Sequence, residues 1–228
     1  MIYAIVLAAG SSRRMGAAKL LLPFGGKTVI AHIVDQLLAS ALDQVHVVVG
    51  HQAERVSKEL SDRPVFIVTN SDYESGMLCS VRCGLRSLPQ SRRHRDSRFT
   101  SIGILVALGD QPSITPGLID RMIQSFTTDR KRILVPSYNG KRGHPLLFST
   151  AYRDEILTLY DDVGLRGLLH AHPDEVFELA VSTASVLSDM DYPADYRRQL
   201  ASIKKSDPPK SSIILSGKEK QCSAKNRR

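Results

Sequence analysis

The sequence predicts an α/β fold: a single domain with one doubly wound, mainly parallel sheet and helices on both faces. Three observations carry this. Short β-branched runs alternate with stretches whose apolar residues recur at helical spacing, the pattern of strand–helix–strand units. The strand-like runs are apolar along most of their length, as strands covered on both faces are. A chain of 228 residues, 42% hydrophobic and 24% charged, suits one soluble domain large enough to bury a substantial core.

In chain order, "YAIVLAA" (3–9) is a buried strand. "TVIAHIVDQLLAS" (28–40) places Val29, Ile33 and Leu37 on one helical face, with Thr28 as N-cap. "QVHVVVG" (44–50) is a second buried strand closed by Gly50, "AERVSKELS" a helix and "VFIVTN" (65–70) a strand. "MLCSVRCGLRSL" (77–88) is a helix stopped by Pro89, ahead of a polar, solvated loop that includes "SRRHRDSR" (91–98). "SIGILVALGD" (101–110) is the most apolar strand, and "PGLIDRMIQSFT" (116–127) starts a helix with Pro at its N-terminal end. "RILVPSYN" (132–139) and "HPLLFS" (144–149) bracket a Gly-rich turn. Helices at 151–160 and 164–170, a strand "EVFELAV" (175–181) and a helix begun by Pro193 complete the domain. The domain is expected over 1–200, and a disordered tail over 201–228.

The formal charge of +8 is a poor sign of nucleic-acid binding, because residues 202–228 hold eight cations against two acids and leave about +2 for the rest. No specific nucleic acid is expected as a partner. Cys79, Cys83 and Cys222 form no CxxC pair and no even framework, which suits reduced thiols in the cytoplasm. "MIYAIVLAAG" lacks a basic lead and reads as a strand rather than a signal peptide; no run of 18 apolar residues exists to span a membrane. His46 and His51, at either end of a buried strand, are expected to be structural.

In a doubly wound sheet, ligands bind beyond the carboxyl ends of the strands. The first strand empties there into "AAGSSRRMGAAK" (8–19), where small residues let backbone N–H groups approach phosphate oxygens and Arg14 and Lys19 add charge-assisted contacts. Two rival phosphate loops are absent. Gly10 and Gly16 stand six apart, so there is no dinucleotide GxGxxG, and a hydride-transferring dinucleotide enzyme is excluded on that ground. "GGKT" (25–28) has Leu21 where a Walker loop needs its first Gly. "GDQP" (109–112) sets Asp110 at the end of the most buried strand, where a carboxylate must be paired or bind a metal. "SDMDYPADY" (188–196) offers Asp189 and Asp191 on one face of an extended segment, either able to approach Asp110, and Asp195 as a first-turn acid.

The series LAAG-x-S-x-R-M-G-x-x-K, GDQP, RGHP and D-x-D-x-P-x-D, running from about residue 2 to 197, resembles the molybdenum cofactor cytidylyltransferases. These are cytidine-using members of the MobA-like NTP transferases. The resemblance implies a Rossmann-like nucleotidyltransferase fold and Mg²⁺-dependent transfer of a nucleoside monophosphate to a phosphorylated acceptor, with pyrophosphate released. CTP and a molybdopterin-type acceptor would be the substrates, and a molybdoenzyme apoprotein a further partner. Carried over by position, Leu7, Ala8, Ala9 and Gly10 lie beside base and ribose, Arg14 and Lys19 grip the triphosphate, and Asp110 and Asp191 bind the metal, with Asp189 the fallback. Asn70, Gly76 and Ser80 fall in a nucleotide-side segment; Arg142, Gly143, His144, Pro145, Gly164 and Arg166 fall on the acceptor side. Guanylyl members usually read LAGG, so the Ala9 methyl favours CTP without excluding GTP. A related transferase with another base or acceptor, or a non-catalytic molybdoenzyme accessory, are the alternative functions.

Overall fold

A computed structural model describes residues 1–89, 102–128 and 131–206. The polar loop at 91–98, Cys222 and the tail beyond Ser206 lie outside the described residues. The chain opens with β1 (Ile2–Ala8), followed by a two-strand hairpin of β2 (Pro23–Phe24) and β3 (Lys27–Thr28). "GGKT" is the tip and return of that hairpin, not a phosphate loop. α1 (Val29–Leu38) begins where the Thr28 side chain accepts from the Ala31 N–H at 3.3 Å, the expected N-cap. β4 (Gln44–Val49), α2 (Ala53–Glu59), β5 (Phe66–Thr69) and α3 (Met77–Ser87) complete the first half. The second half runs β6 (Gly103–Leu108), α4 (Pro116–Thr128), β7 (Ile133–Tyr138), β8 (Lys141–Arg142), β9 (Leu146–Ser149), α5 (Arg153–Thr158), α6 (Arg166–Ala171), β10 (Val176–Ala180) and α7 (Pro193–Ser206).

The sheet order is β10-β7-β9-β6-β1-β4-β5, with β8 paired to β7. The β6–β1–β4–β5 block is parallel; β9 runs antiparallel between β6 and β7. β9 can fill that slot because β7 turns back at Asn139 and Gly140, both left-handed at φ 49° and 74°, the chemistry a tight hairpin needs. Along β1, Ile2, Ala4, Val6 and Ala8 point into a core shared with α1 and α4, while Tyr3 and Ile5 point into a second core with α3 and α5. β6 divides likewise, Leu105 and Ala107 to one side and Ile104 and Val106 to the other. Strand alternation therefore buries both faces, which is why these runs look uniformly apolar in sequence. Each fully buried Ile or Phe, such as Ile104 or Phe148, contributes about 1.5–3 kcal/mol.

Two boundaries depart from the sequence pattern. The helix expected over 151–160 is a 3-10 turn at Thr150–Tyr152 followed by a short α5. It stops because the Arg82 guanidinium, from α3, donates to the Ile156 and Leu159 carbonyls at 2.9 and 2.8 Å, and Tyr160 then takes φ 78°. α7 continues through Ser206, so the first six residues of the segment expected as tail are helical. Among the described residues no helix is long and apolar enough to cross a membrane.

Candidate active site

β1 sends the chain to β4 and β5 on one side, and β6 then returns to its other side. The crevice between β1 and β6 is the point where such sheets bind ligands. Parallel pairing from Ile2↔Gly103 to Leu7↔Leu108 makes Ala9–Gly10 and Gly109–Asp110 emerge side by side. The Gly109 N–H donates to the Leu7 carbonyl at 3.0 Å, and a Cβ on Gly109 would sit 2.7 Å from that oxygen. No larger residue fits there. Asp110 returns the favour one residue on: its carbonyl accepts from the Met190 N–H at 3.1 Å, which stitches Asp189–Asp191 to the same edge although Met190 itself is buried.

The loop after β1 carries local structure of its own. It holds 3-10 turns at Arg13–Met15 and Lys19–Leu21, the first entered by left-handed Ser12 and left by left-handed Gly16. These turns aim two cations at the aspartates. Lys19 Nζ donates to Asp110 Oδ2 at 2.5 Å and to Asp191 Oδ1 at 3.2 Å; Arg14 donates to Asp191 Oδ2 at 2.8 Å. The Lys19 side chain is 12% exposed and that of Arg14 66%, so the lysine sits at the floor of the cleft and the arginine at its mouth.

Burial alone would lower the Lys19 pKa, but Asp110 and Asp191 outweigh it and hold the ammonium above its usual range. Burial raises the Asp110 carboxyl, and Asp189 and Asp191 add to this despite Lys19. The edge thus carries more carboxylate than one buried ammonium neutralises, and an added cation would relieve it. Among the described residues no three His, Cys, Asp or Glu side chains converge as ligands of one ion. Two carboxylates with room for further oxygen ligands fit a hard divalent cation bound together with a phosphate, rather than a closed structural site.

The surrounding cleft encloses about 510 Å³. Leu7, Ala9, Gly10, Arg14, Lys19, Gly76, Ser80, Asp110, Asp189 and Asp191 all line it. Two residues expected at the ligand do not. The Ala8 side chain points into the α1 core because the strand alternation carries Ala9, not Ala8, to the opening. Asn70 is buried behind the wall, where it donates to Ser80 Oγ at 3.0 Å and accepts from the Asp72 N–H at 3.0 Å, so it supports Ser80.

None of the residues expected on the acceptor side lines this cleft. Gly143 passes so close to the chain at Val186 that a Cβ would sit 2.2 Å from the Val186 oxygen, and the His144 N–H donates to that oxygen at 2.9 Å. His144 Nδ1 is buried without a partner among the described residues. Burial lowers the His144 pKa; Asp189 and Asp110 oppose the shift and Arg166 adds to it, which places His144 within electrostatic reach of the aspartates and of Arg166. Pro145 is buried beside His144, while Gly164 takes φ 64° in the loop ahead of Arg166 at the start of α6. Arg142 turns away to Glu178, at 2.7 Å.

Sequence reasoning passed over Tyr73, Met77 and Gln111. Tyr73 and Met77 line the cleft, and the signal for them lay inside the nucleotide-side segment "NSDYESGM". Gln111, 2% exposed, donates to Asp189 Oδ1 at 2.5 Å and so holds that carboxylate back from Lys19. It stood in view within GDQP. His46 is buried and donates or accepts at Ser87 Oγ, 3.0 Å away, a packed position as expected. Asp195 caps the first turn of α7, accepting from the Tyr192 N–H at 2.9 Å.

Residues 4–176 match the family described as the MobA-like NTP transferase domain. Over 196 residues the chain is 30% identical to nicotine blue oxidoreductase of Paenarthrobacter nicotinovorans, across 82% of this chain and 90% of that protein. It is 25% identical to the molybdenum cofactor cytidylyltransferase of Escherichia coli K12, across 84% and 92%. The crystal structure of Rv0371c from Mycobacterium tuberculosis H37Rv superposes with a TM-score of 0.74 at 31% identity, covering 88% of this chain and 97% of that one. A manganese complex of Rv0371c superposes with a TM-score of 0.71, also at 31% identity, covering 88% and 98%.

Proposed function

The chain belongs to the MobA-like NTP transferase family, and from that premise we propose that it transfers CMP from CTP to the terminal phosphate of a molybdopterin-type acceptor. Pyrophosphate is the second product. The observation that carries the reading is the meeting of Lys19 and Arg14 with Asp110 and Asp191 at the β1–β6 crevice, at 2.5–3.2 Å. A triphosphate entering the cleft meets a buried ammonium and an exposed guanidinium, both suited to phosphate oxygens.

A phosphate-oxygen nucleophile of the acceptor attacks the α-phosphorus in line. The new P–O bond forms as the bond to the bridging oxygen breaks, and pyrophosphate leaves with the electron pair. The acceptor phosphate is already ionised near neutral pH, so no general base is needed. Lys19 and Arg14 neutralise charge that grows on the leaving group, and the small residues Ala9 and Gly10 allow close approach of the nucleotide. Asp110 and Asp191 would hold Mg²⁺, with Asp189 in reserve; when bound, the ion supplies charge neutralisation and orientation of phosphate oxygens. On the acceptor side, Gly143, His144, Pro145, Gly164 and Arg166 form the binding surface, without Arg142, which is held by Glu178. His144 there is a neutral hydrogen-bonding imidazole, since its burial disfavours the charged form.

Ala9 favours cytosine over a purine, though one methyl supplies only about 1–3 kcal/mol of discrimination. The deciding experiment measures pyrophosphate release with each of the four NTPs and Mg²⁺, with and without molybdopterin carrying molybdenum. Release that requires both CTP and the pterin supports the proposal. Equal use of all NTPs, or indifference to pterin, assigns a different base or acceptor; no release at all assigns a non-catalytic accessory role.

A further inference from the structure

The two sides of the cleft differ in chemistry. Lys19, Asp110 and Asp191 meet beside the end of β6, whereas Tyr73 stands at the end of β4, on the far side of β1. Two strand spacings, about 10 Å, separate those ends. A nucleoside triphosphate has the same polarity: a polyanion at one end, a flat uncharged ring at the other. Only one orientation sets the triphosphate on the cations and leaves the base against Ala9 and the Tyr73 ring.

What puts Tyr73 there is a missing side chain at position 50. A Cβ on Gly50 would lie 2.7 and 2.8 Å from Cβ and Cγ of Tyr73 and 2.9 Å from Cβ of Ala9. Tyr73 and Ala9 therefore rest on one bare stretch of backbone. Neither can easily retreat. The His51 N–H donates to the Ala9 carbonyl at 3.1 Å, and the Asn70 N–H donates to the Val49 carbonyl at 2.8 Å, which ties both flanking segments to the end of β4. The Tyr73 ring is also braced by His51, with ring centroids 6.1 Å apart.

Resting on the nucleotidyl-transfer reading above, we infer that Tyr73 is the face against which the nucleobase stacks, and that Gly50 is the positioning residue that sets the gap between that face and Ala9. Aromatic rings serve this role because every base offers a π-face. Gly50 acts through Tyr73 and Ala9 and touches no ligand itself.

The test measures equilibrium binding of CTP and of GTP by calorimetry, with Mg²⁺ and no acceptor, alongside thermal melting. Tyr73→Ala should weaken CTP binding about tenfold, while Tyr73→Phe, which keeps the ring, binds as the wild type does. Gly50→Ala should weaken CTP binding about as much by displacing Tyr73, and should add less than that in the Tyr73→Ala background, where only the contacts with Ala9 and with Cβ of residue 73 remain, a non-additivity that marks coupled neighbours. In turnover, KM for CTP should rise in Tyr73→Ala and Gly50→Ala while KM for the acceptor holds, and Tyr73→Phe should match the wild type. If wild type, Tyr73→Ala and Tyr73→Phe bind CTP equally, the stacking assignment falls while the proposed function stands. A wild-type protein that binds no NTP overturns the underlying reading, and this inference with it.

Discussion

Replacing Asp110 by Asn should separate catalysis from folding. The carboxylate lies 2.5 Å from Lys19 Nζ on an edge that also holds Asp189 and Asp191. Two effects on stability oppose each other. The amide loses the charged pair with Lys19, yet Lys19 keeps Asp191 at 3.2 Å. Against that, burial and the neighbouring carboxylates raise the Asp110 pKa in the folded state. An acid whose folded pKa lies above its unfolded value weakens the fold once the pH exceeds the unfolded value, and the amide removes that penalty. The net change should stay within about 1 kcal/mol, a melting shift of no more than about 4 °C for a domain of this size. Catalysis has no such compensation. On the proposed function, loss of one metal-holding carboxylate should lower kcat about 10³-fold, or about 4 kcal/mol of transition-state stabilisation. Pyrophosphate release under saturating CTP and acceptor, with melting curves on the same samples, measures both. Turnover within tenfold of wild type would refute the assignment of Asp110. A melting temperature lowered by more than about 10 °C would show instead that the residue holds the fold together.

Gly143→Ala should destabilise the protein by about 3 kcal/mol, because its Cβ would meet the Val186 carbonyl oxygen at 2.2 Å and the carbonyl carbon at 2.7 Å, backbone that His144 also binds. Urea unfolding gives the energy, and acceptor-dependent turnover should fall further than CTP binding does. Asn70→Ala should cost about 2 kcal/mol through the bonds to Ser80 and Asp72, and should raise KM for CTP by loosening Ser80. Burial alone would push the Asp35 pKa up, but bonds from Arg63 and Lys27 outweigh it and hold the carboxyl below its ordinary range. Its stabilisation is therefore complete above the unfolded pKa and lost as pH falls through the folded one. The urea midpoint of the Asp35→Asn variant should approach that of wild type between about pH 5 and pH 2; an unchanged gap would count against the ion-pair network.

Most of the fold was legible because its signals are local. Val29, Ile33 and Leu37 fall on one side of any helix drawn through them, and the apolar runs at 3–9 and 101–110 had no other place than a covered sheet. The sharp ends were less legible. The helix near 151–160 is cut short by Arg82, a residue from another helix whose guanidinium takes its last carbonyls. Within the candidate site, the residue types and their order were readable, but the phase of β1 was not. Strand alternation decides that Ala9 opens to the cleft and Ala8 to the core, and a one-residue shift in where the strand leaves the sheet would exchange them.

The sequence by itself determined which segments become strands and helices, that both faces of the sheet are covered, and which cations and acids cluster at strand ends. Those properties follow from side-chain period and turn chemistry within a few residues. Only the tertiary structure decided that Lys19 meets an acid 91 residues away and Arg14 one 177 residues away, that β9 enters antiparallel between β6 and β7, and that Tyr73 leans on Gly50. Such contacts depend on strand order and on the space left by absent side chains. Neither is fixed by any local stretch of chain, because a pairing's energy is realised only when both partners have already been brought together.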